Sequence, residues 1–355
     1  VARSGNSFDL GLGISDDFMI KGLSKLTDAV HRHDGKIAIQ LQHGGRFGNP
    51  PTSGCPRLLV SMIPGLAPTE NARVMDADDI EGMVEAYVQA ARRAVEAGFD
   101  AVEIHGAHGY LINQFMSPLT NLREDAYGGS FENRFRLLKN GIRAAKVYED
   151  DHFMVTARLG IYDGYAYPWG FGVSPESGTT PDLTEPKRLV RELHDELGVD
   201  MVDLTMGNPY ATTHVTRPFD FGKYEPDEHP LVGLARMIHG IGEVKKAVPE
   251  MTVWASAPSY LRAYADLFTA GAVEEGLCDG MLFGRMAFAD PDFANEILKN
   301  GRIDPKHVCL TCGKCGDLIR AHKPTGCVIR DSKTFMPFYK EFLEIKNTQP
   351  ANFRG

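Results

Sequence analysis

Within six residues the sequence sets His105, His108 and Tyr110, in the run Glu103-Ile104-His105-Gly106-Ala107-His108-Gly109-Tyr110-Leu111. Two imidazoles at this spacing can hold one substrate oxygen and polarise it as negative charge develops. A phenol beside them can then deliver a proton. The His-x-x-His pair could also begin a zinc site, although no third ligand stands nearby, and both rings could simply cap a strand. A second motif, Gln40-Leu41-Gln42-His43-Gly44-Gly45-Arg46, offers a glutamine amide able to make paired hydrogen bonds to a planar heterocycle. Its Arg46 reads either as a phosphate or substrate contact or as a solvated loop side chain.

A third group of reactive residues lies farther along. Four of the six cysteines, Cys309, Cys312, Cys315 and Cys327, form the spacing C-x2-C-x2-C-x11-C. Three close thiolates and a distant fourth suit a [4Fe–4S] cluster, in which each iron takes one cysteine. Four-cysteine zinc uses similar spacing, so both metals stay open on spacing alone. Cys55 and Cys278 match no motif and read as ordinary thiols. A secreted disulfide scaffold would be shorter and would spread its cysteines along the chain.

Something must position these groups, and the hydrophobic pattern shows what. Ile80, Met83, Val84, Tyr87, Val88, Ala91 and Val95 form one helical stripe between about Asp79 and Ala97. Gly98 stops that helix and Ala101-Val102-Glu103-Ile104 follows as a strand. The same unit recurs: a helix to His33 before Ile37-Ala38-Ile39, and Phe131 to Tyr148 before Phe153-Met154-Val155. It continues with Lys187 to Leu197 before Met201-Val202-Asp203-Leu204, and Leu231 to Val248 before Met251-Thr252-Val253-Trp254. The last is Tyr260 to Glu275 before Met281-Leu282-Phe283. Helices alternating with short apolar strands mean a parallel sheet. Six such units favour a barrel over an open doubly wound sheet, and in a barrel the chemistry sits just after the strands.

Beyond His105 the sequence runs through Gln114-Phe115, Ser117-Pro118, Asn121-Leu122-Arg123 and Tyr127-Gly128-Gly129-Ser130-Phe131-Glu132-Asn133-Arg134. Together with Gln40 to Arg46, this long pattern closely resembles the Old Yellow Enzyme family of FMN-dependent oxidoreductases, over most of the chain up to about Asp292. The resemblance implies a (β/α)₈ TIM barrel and FMN as cofactor. It assigns Gln40 to the flavin pyrimidine edge, His105 and His108 to the substrate's electron-withdrawing oxygen, and Tyr110 to protonation of the carbon opposite the hydride. Arg158 corresponds to the arginine near flavin N1 and O2, where its charge would stabilise the reduced cofactor; taken alone it could equally make an internal salt bridge. Gly284 and Arg285 correspond to the family's phosphate-binding pair. Where the family has a glycine pair on the preceding strand, this chain has Ala255-Ser256-Ala257-Pro258, which puts the phosphate cradle's geometry in question. One branch of the family, including 2,4-dienoyl-CoA reductase and trimethylamine dehydrogenase, carries an iron–sulfur cluster directly after the barrel. That favours iron at the four cysteines.

The expected architecture is therefore residues 1–300 as an FMN-binding barrel and 301–355 as a cluster-binding extension. Six strands fall short of eight, so the barrel's first two strands are expected to be missing from this sequence. Roughly 30 or more further N-terminal residues would supply a βαβ unit, or a partner or swapped neighbour would supply the strands. The branch's FAD- and nucleotide-binding region, which relays electrons from NAD(P)H, has no counterpart. FAD would then sit on a missing region or on an electron-donor protein.

The expected activity is reduction of an activated C=C bond in an enoate, enone or enoyl thioester. An amine-dehydrogenase-like oxidative flavoprotein and a non-catalytic electron-transfer subunit are the alternatives. The aromatic-rich loop from Tyr162 to Thr184, with Tyr165, Tyr167, Trp169 and Phe171, either walls the substrate pocket or packs on itself. Composition agrees with a soluble globular enzyme: 43% hydrophobic and 24% charged residues over 355 positions. A net charge of −9 without any long basic run argues against nucleic acid or an anionic membrane as partner. No stretch approaches the ~20 apolar residues of a membrane span, and Val1-Ala2-Arg3-Ser4 opens no signal peptide. A cytoplasmic homo-oligomer acting on a small molecule is expected.

Overall fold

The helix Ala77–Glu96 shows how local chemistry sets the element boundaries. Asp76 accepts a hydrogen bond from the Asp79 amide at 2.9 Å, and the Asp79 carboxylate accepts one from the Asp76 amide at 3.0 Å. This reciprocal cap satisfies two of the donors that a helix start leaves free. At the other end Gly98 adopts φ +85°, and the Phe99 amide reaches back to Ala94 at 3.0 Å. A side chain is disfavoured at such a φ, which is why glycine marks this stop. Ile80, Met83, Tyr87, Ala90, Ala91 and Ala94 are buried along one face.

The chain is described by a computed structural model that covers all residues except 64, 66–69, 178, 221–223 and 349–355. Position 178 of the aromatic loop and residues 349–355 of the extension thus lie outside the described residues. Eight strands are present among the described residues: β1 Ala38–Leu41, β2 Arg57–Leu59, β3 Ala72–Val74, β4 Ala101–Gly106, β5 Met154–Gly160, β6 Met201–Thr205, β7 Thr252–Ala255 and β8 Gly280–Met281. Six of them form one parallel sheet in the order β1-β4-β5-β6-β7-β8, while β2 and β3 pair separately. The six are those read from the sequence, and the order is strictly that of the chain. The small β2–β3 pair was not foreseen, because three-residue strands carry too little periodicity to stand out.

Strands β4, β5 and β6 are buried on both faces almost throughout, as a parallel sheet covered by helices requires. The helices that cover it are Ile20–His31, Ala77–Glu96, Arg136–Ala145, Thr184–Leu197, Pro230–Ala247 and Ala265–Glu274. Among the described residues β1 and β8 do not pair with each other, so the sheet is open there. Beside β1 lies a cavity of about 600 Å³ bounded by Ile37 to Gln42 and by residues of the first nineteen positions.

After β8 the chain forms helices Gly284–Ala289, Phe293–Asn300, Lys314–Arg320 and Ser332–Thr348. Met286, Ala289, Ile303, Val308 and Cys309 make a second hydrophobic cluster with Ala265, against which Cys327 packs. The cysteine segment is thereby fixed to the carboxyl end of the sheet.

Replacing the cap, Asp76→Ala, should lower the unfolding free energy by about 1 kcal/mol, whereas Asp76→Ser should keep most of it. Urea unfolding monitored by circular dichroism reads this out, and equal stability of the two variants would show that the cap contributes nothing.

Candidate active site

Parallel register builds the site's floor. Gln40 stands opposite Glu103, His105 opposite Arg158, and Arg158 opposite Asp203. Neighbours at one level of a sheet point to the same face, so His105, Arg158 and Asp203 form a row across three strands. Gln40 is exposed and donates through Nε2 to the Glu103 carboxylate. Arg158 Nε lies 3.0 Å from Asp203 Oδ2. The N–H does not aim at that oxygen, and both atoms are buried without a hydrogen bond. The internal partner considered for Arg158 therefore exists as a close contact, with hydrogen-bonding capacity left over on both side chains. Burial pushes the Asp203 carboxyl above its usual range, against the pull of Arg158.

Just past β4 the backbone turns sharply. His108 at φ +61° and Gly109 at φ +76° both lie in the left-handed region, an unusual conformation for a histidine. The turn is held by Asn113, whose Oδ1 accepts from the Gly109 amide at 2.7 Å, and by Gln114, whose Nε2 donates to Gly109 O at 2.7 Å. The same Gln114 side chain donates to Gly44 O and accepts from the Arg46 amide, both at 3.2 Å. A buried glutamine thus ties the two sequence motifs together. A β-carbon on Gly45, at φ +57°, would stand 2.5 Å from Gln114 Oε1, so this crossing requires glycine.

The turn brings the three reactive side chains into contact. The rings of His105 and His108 are 5.2 Å apart, and those of His105 and Tyr110 are 5.4 Å apart. Burial, with Arg158 as a second cause, holds the His105 imidazole down at about 3. The same causes push His108 well below its ordinary value. Both rings are therefore neutral at physiological pH, each with one N–H to donate, and His105 Nδ1 is buried without a partner. Burial raises the Tyr110 hydroxyl, which keeps its proton. It hydrogen-bonds the Tyr210 hydroxyl at 2.8 Å, and Tyr210 stacks on Phe47 at 3.9 Å.

A cavity of about 190 Å³ opens beside this group, lined by His108, Arg158, Arg217, Ser256, Ser259, Gly284 and Arg285 among others. Arg285 Nη2 is buried without a partner. Burial lowers the pKa of Arg285 and also that of Arg217, where the charge of Arg285 adds to the effect. Three guanidiniums and four hydroxyls (Thr205, Thr216, Ser256 and Ser259) around one space make an anion site, and their unused donors fit an FMN phosphate and pyrimidine. Ala257 occupies the left-handed region at φ +74°. The backbone thus keeps a conformation suited to glycine at the position where this sequence departs from the family's pattern.

Beyond Arg285 lies the cysteine segment: Met286 Sδ, one residue on, accepts from the Cys309 amide at 3.5 Å. The thiols of Cys309 and Cys315 are pushed up by burial, and each is influenced by other cysteines of the motif. Cys309 is buried, Cys315 and Cys327 half-buried and Cys312 exposed, and none is in a disulfide. All four are softly ligating, uncommitted sulfurs, a donor set that fits iron–sulfur or zinc.

Tyr210, Arg217, Thr205 and Asn208 were not singled out in the sequence. The available signal was their place after β6, where a barrel reading puts functional groups. The aromatic loop divides: Phe171 is buried against Phe135, Tyr167 and Trp169 are exposed, and Tyr165 lines a second cavity.

The model of the NADH:flavin oxidoreductase / NADH oxidase family matches residues 1–176. An NADPH dehydrogenase of Geobacillus sp. (strain WCH70) is 39% identical over 207 residues, 58% of this chain and 56% of that protein. An NADH oxidase of Thermoanaerobacter brockii is 33% identical over 304 residues, 85% of this chain and 42% of that one. The structure of 2-naphthoyl-CoA reductase with 2-naphthoyl-CoA aligns with a TM-score of 0.74 at 22% identity, over 96% of this chain and 48% of that one. This last is a likeness of fold. The chain spans about half the length of the curated relatives it matches. No helix among the described residues is long and apolar enough to cross a membrane.

Neutral, buried imidazoles have a consequence for stability. His43 and His105 are both held at about 3 when folded, against about 6.5 unfolded. Between those values the unfolded chain binds protons that the folded chain refuses. Stability should therefore be complete above about pH 6.5 and fall as pH drops toward 3. Ring-proton NMR should show neither histidine titrating between pH 5 and 8; a midpoint near 6.5 for either one would contradict its burial.

Proposed function

We propose, from the premise that the chain belongs to the NADH:flavin oxidoreductase / NADH oxidase (Old Yellow Enzyme) family, that it is an FMN-dependent ene-reductase on a barrel scaffold. The six parallel strands in chain order, with their polar groups at the carboxyl ends, support reading the sheet as barrel wall. The observation that carries the activity is the buried trio of neutral His105, neutral His108 and protonated Tyr110 at ring spacings of 5.2 and 5.4 Å. Two neutral imidazoles donate to the oxygen of an enone, enoate or thioester, and strengthen their hold as charge builds there. Tyr110 gives its proton to the α-carbon, and the Tyr210 hydroxyl, as donor, steadies the phenolate left behind.

Arg158, Arg285, Gly284 and Ser256 would hold FMN, with Gln40 at its edge once Glu103 releases the amide. Bound FMN supplies the hydride for the β-carbon, and NAD(P)H is the ultimate donor the relatives' names point to. Cys309, Cys312, Cys315 and Cys327 would ligate a [4Fe–4S] cluster in the segment 301–355. Amine oxidation fits less well: Phe47 and Tyr210 close on each other at 3.9 Å and leave no slot between them for a cation.

Anaerobically purified protein should show a flavin spectrum that NAD(P)H or dithionite bleaches, and an enone should restore it. Bleaching of the oxidised spectrum by amines, with no enone able to restore it, would overturn the reductase reading. Tyr110→Phe should slow the enone step by about 10²–10⁴-fold, the usual weight of a general acid, while reduction of the flavin by dithionite keeps its rate. An unaltered enone step in that variant would assign the proton to water or another acid.

Iron and acid-labile sulfide should be present together in the native protein, and Cys312→Ala should lose both. Stoichiometric zinc without iron after anaerobic preparation would reverse the assignment.

A further inference from the structure

Arg46 was left open by the sequence, and its surroundings decide against a solvated loop role. Its Nε is buried and has no hydrogen-bond partner. Its backbone amide donates to Gln114 Oε1 at 3.2 Å. Among the described residues no carboxylate pairs with the guanidinium, and burial draws its pKa down. A half-buried guanidinium with a buried, unused Nε and no carboxylate beside it among the described residues gains on meeting an anion.

The space for that anion is present. Arg46 lines a cavity of about 190 Å³ together with Phe47, Asn113, Tyr165, Asn208 and Tyr210. The Tyr165 hydroxyl, held neutral because burial pushes it up to about 12, accepts from Asn208 Nδ2 at 3.2 Å and keeps its own proton to donate. One carboxylate also borders the cavity, that of Asp163. It is committed elsewhere, accepting from the amides of Tyr165 and Phe171 at 3.1 and 2.9 Å and from Ser117 Oγ at 3.1 Å.

The cavity is not remote from the reacting groups. The Arg46 guanidinium lies 5.4 Å from the Phe47 ring centre, Phe47 stacks on Tyr210 at 3.9 Å, and Tyr210 bonds the Tyr110 hydroxyl at 2.8 Å. An anion here would be one aromatic layer away from the proton donor. A nucleotide tail would not fit so small a space, but a carboxylate on a short chain would.

We infer that Arg46 and its cavity form a subsite for a carboxylate carried by the substrate away from its reacting double bond. The inference rests on the reductase reading for where the double bond lies, but the preference for an anion can be measured without turnover. The probe is (E)-7-oxooct-5-enoate, an enone with a carboxylate tail, compared with its neutral methyl ester. Calorimetric titration of the oxidised holoenzyme should show the acid binding about 10- to 100-fold more tightly, the range expected for a charge-assisted hydrogen bond. Arg46→Gln should bring the acid to the ester's affinity, and Arg46→Lys, which keeps the charge without the fork, should retain part of the preference.

Equal affinity of acid and ester for the native protein would overturn the subsite, whether or not any variant folds. So would an undiminished preference in Arg46→Gln with a native-like melting curve. Should both probes bind with the Arg46-dependent preference and neither be reduced, the reductase reading falls and the subsite stands. Should both be reduced with equal kcat/KM and equal affinity, the reverse holds.

Discussion

Strand register is the constraint on which the rest of the site depends. Parallel pairing puts His105 beside Arg158 and Arg158 beside Asp203. Because side chains alternate along a strand, a slip of one residue in either pairing would turn one of these groups to the opposite face. The row has to be made from three separate βα units, and it has to be made where apolar packing excludes water. Ile104, Ala157, Leu159, Val202 and Leu204, interleaved with the polar positions, are all fully buried. The hydrophobic effect thus sets the register, and the register places the charges.

Exclusion of water gives the site its electrostatic character. Arg158, Arg217 and Arg285 surround one cavity with fewer acceptors than donors, and Arg46 repeats this on a smaller scale in the next cavity. Such groups destabilise the fold unless something anionic joins them. The same desolvation keeps His105 and His108 neutral and Tyr110 protonated. One physical cause, low polarity around unpaired donors, readies the pocket both for an anionic cofactor and for an oxygen that gains charge.

Local backbone strain marks the same region. His108 and Ala257 hold left-handed conformations that cost free energy in any residue but glycine. Each is fixed by neighbouring structure: Asn113 and Gln114 hold the first turn, and Pro258 follows the second. Arg285 is followed by Met286, whose Sδ accepts from the Cys309 amide at 3.5 Å, so this cavity borders the cysteine segment. Packing of Met286 and Ala265 against Ile303 and Cys309 keeps that contact in place.

Much of this was legible in the sequence, because it depends on short-range pattern. The six strands of the main sheet follow from apolar runs between amphipathic helices, and the His-x-x-His-x-Tyr and cysteine motifs lie within short segments. Gly98 and the Asp76 cap have purely local causes. The sequence could not determine groups that converge from distant positions. Tyr210 meets Tyr110 across a separation of 100 residues, and Arg158 meets Ser256 across 98. Arg46 illustrates the division best. Its identity and motif were plain, but whether it faced solvent or a polar cavity depended on Gln114, Tyr165 and Tyr210, brought to it by three other segments. Local propensity fixes where a chain is helical or extended, whereas burial and charge pairing are properties of the assembled sheet, and only the tertiary structure decides them.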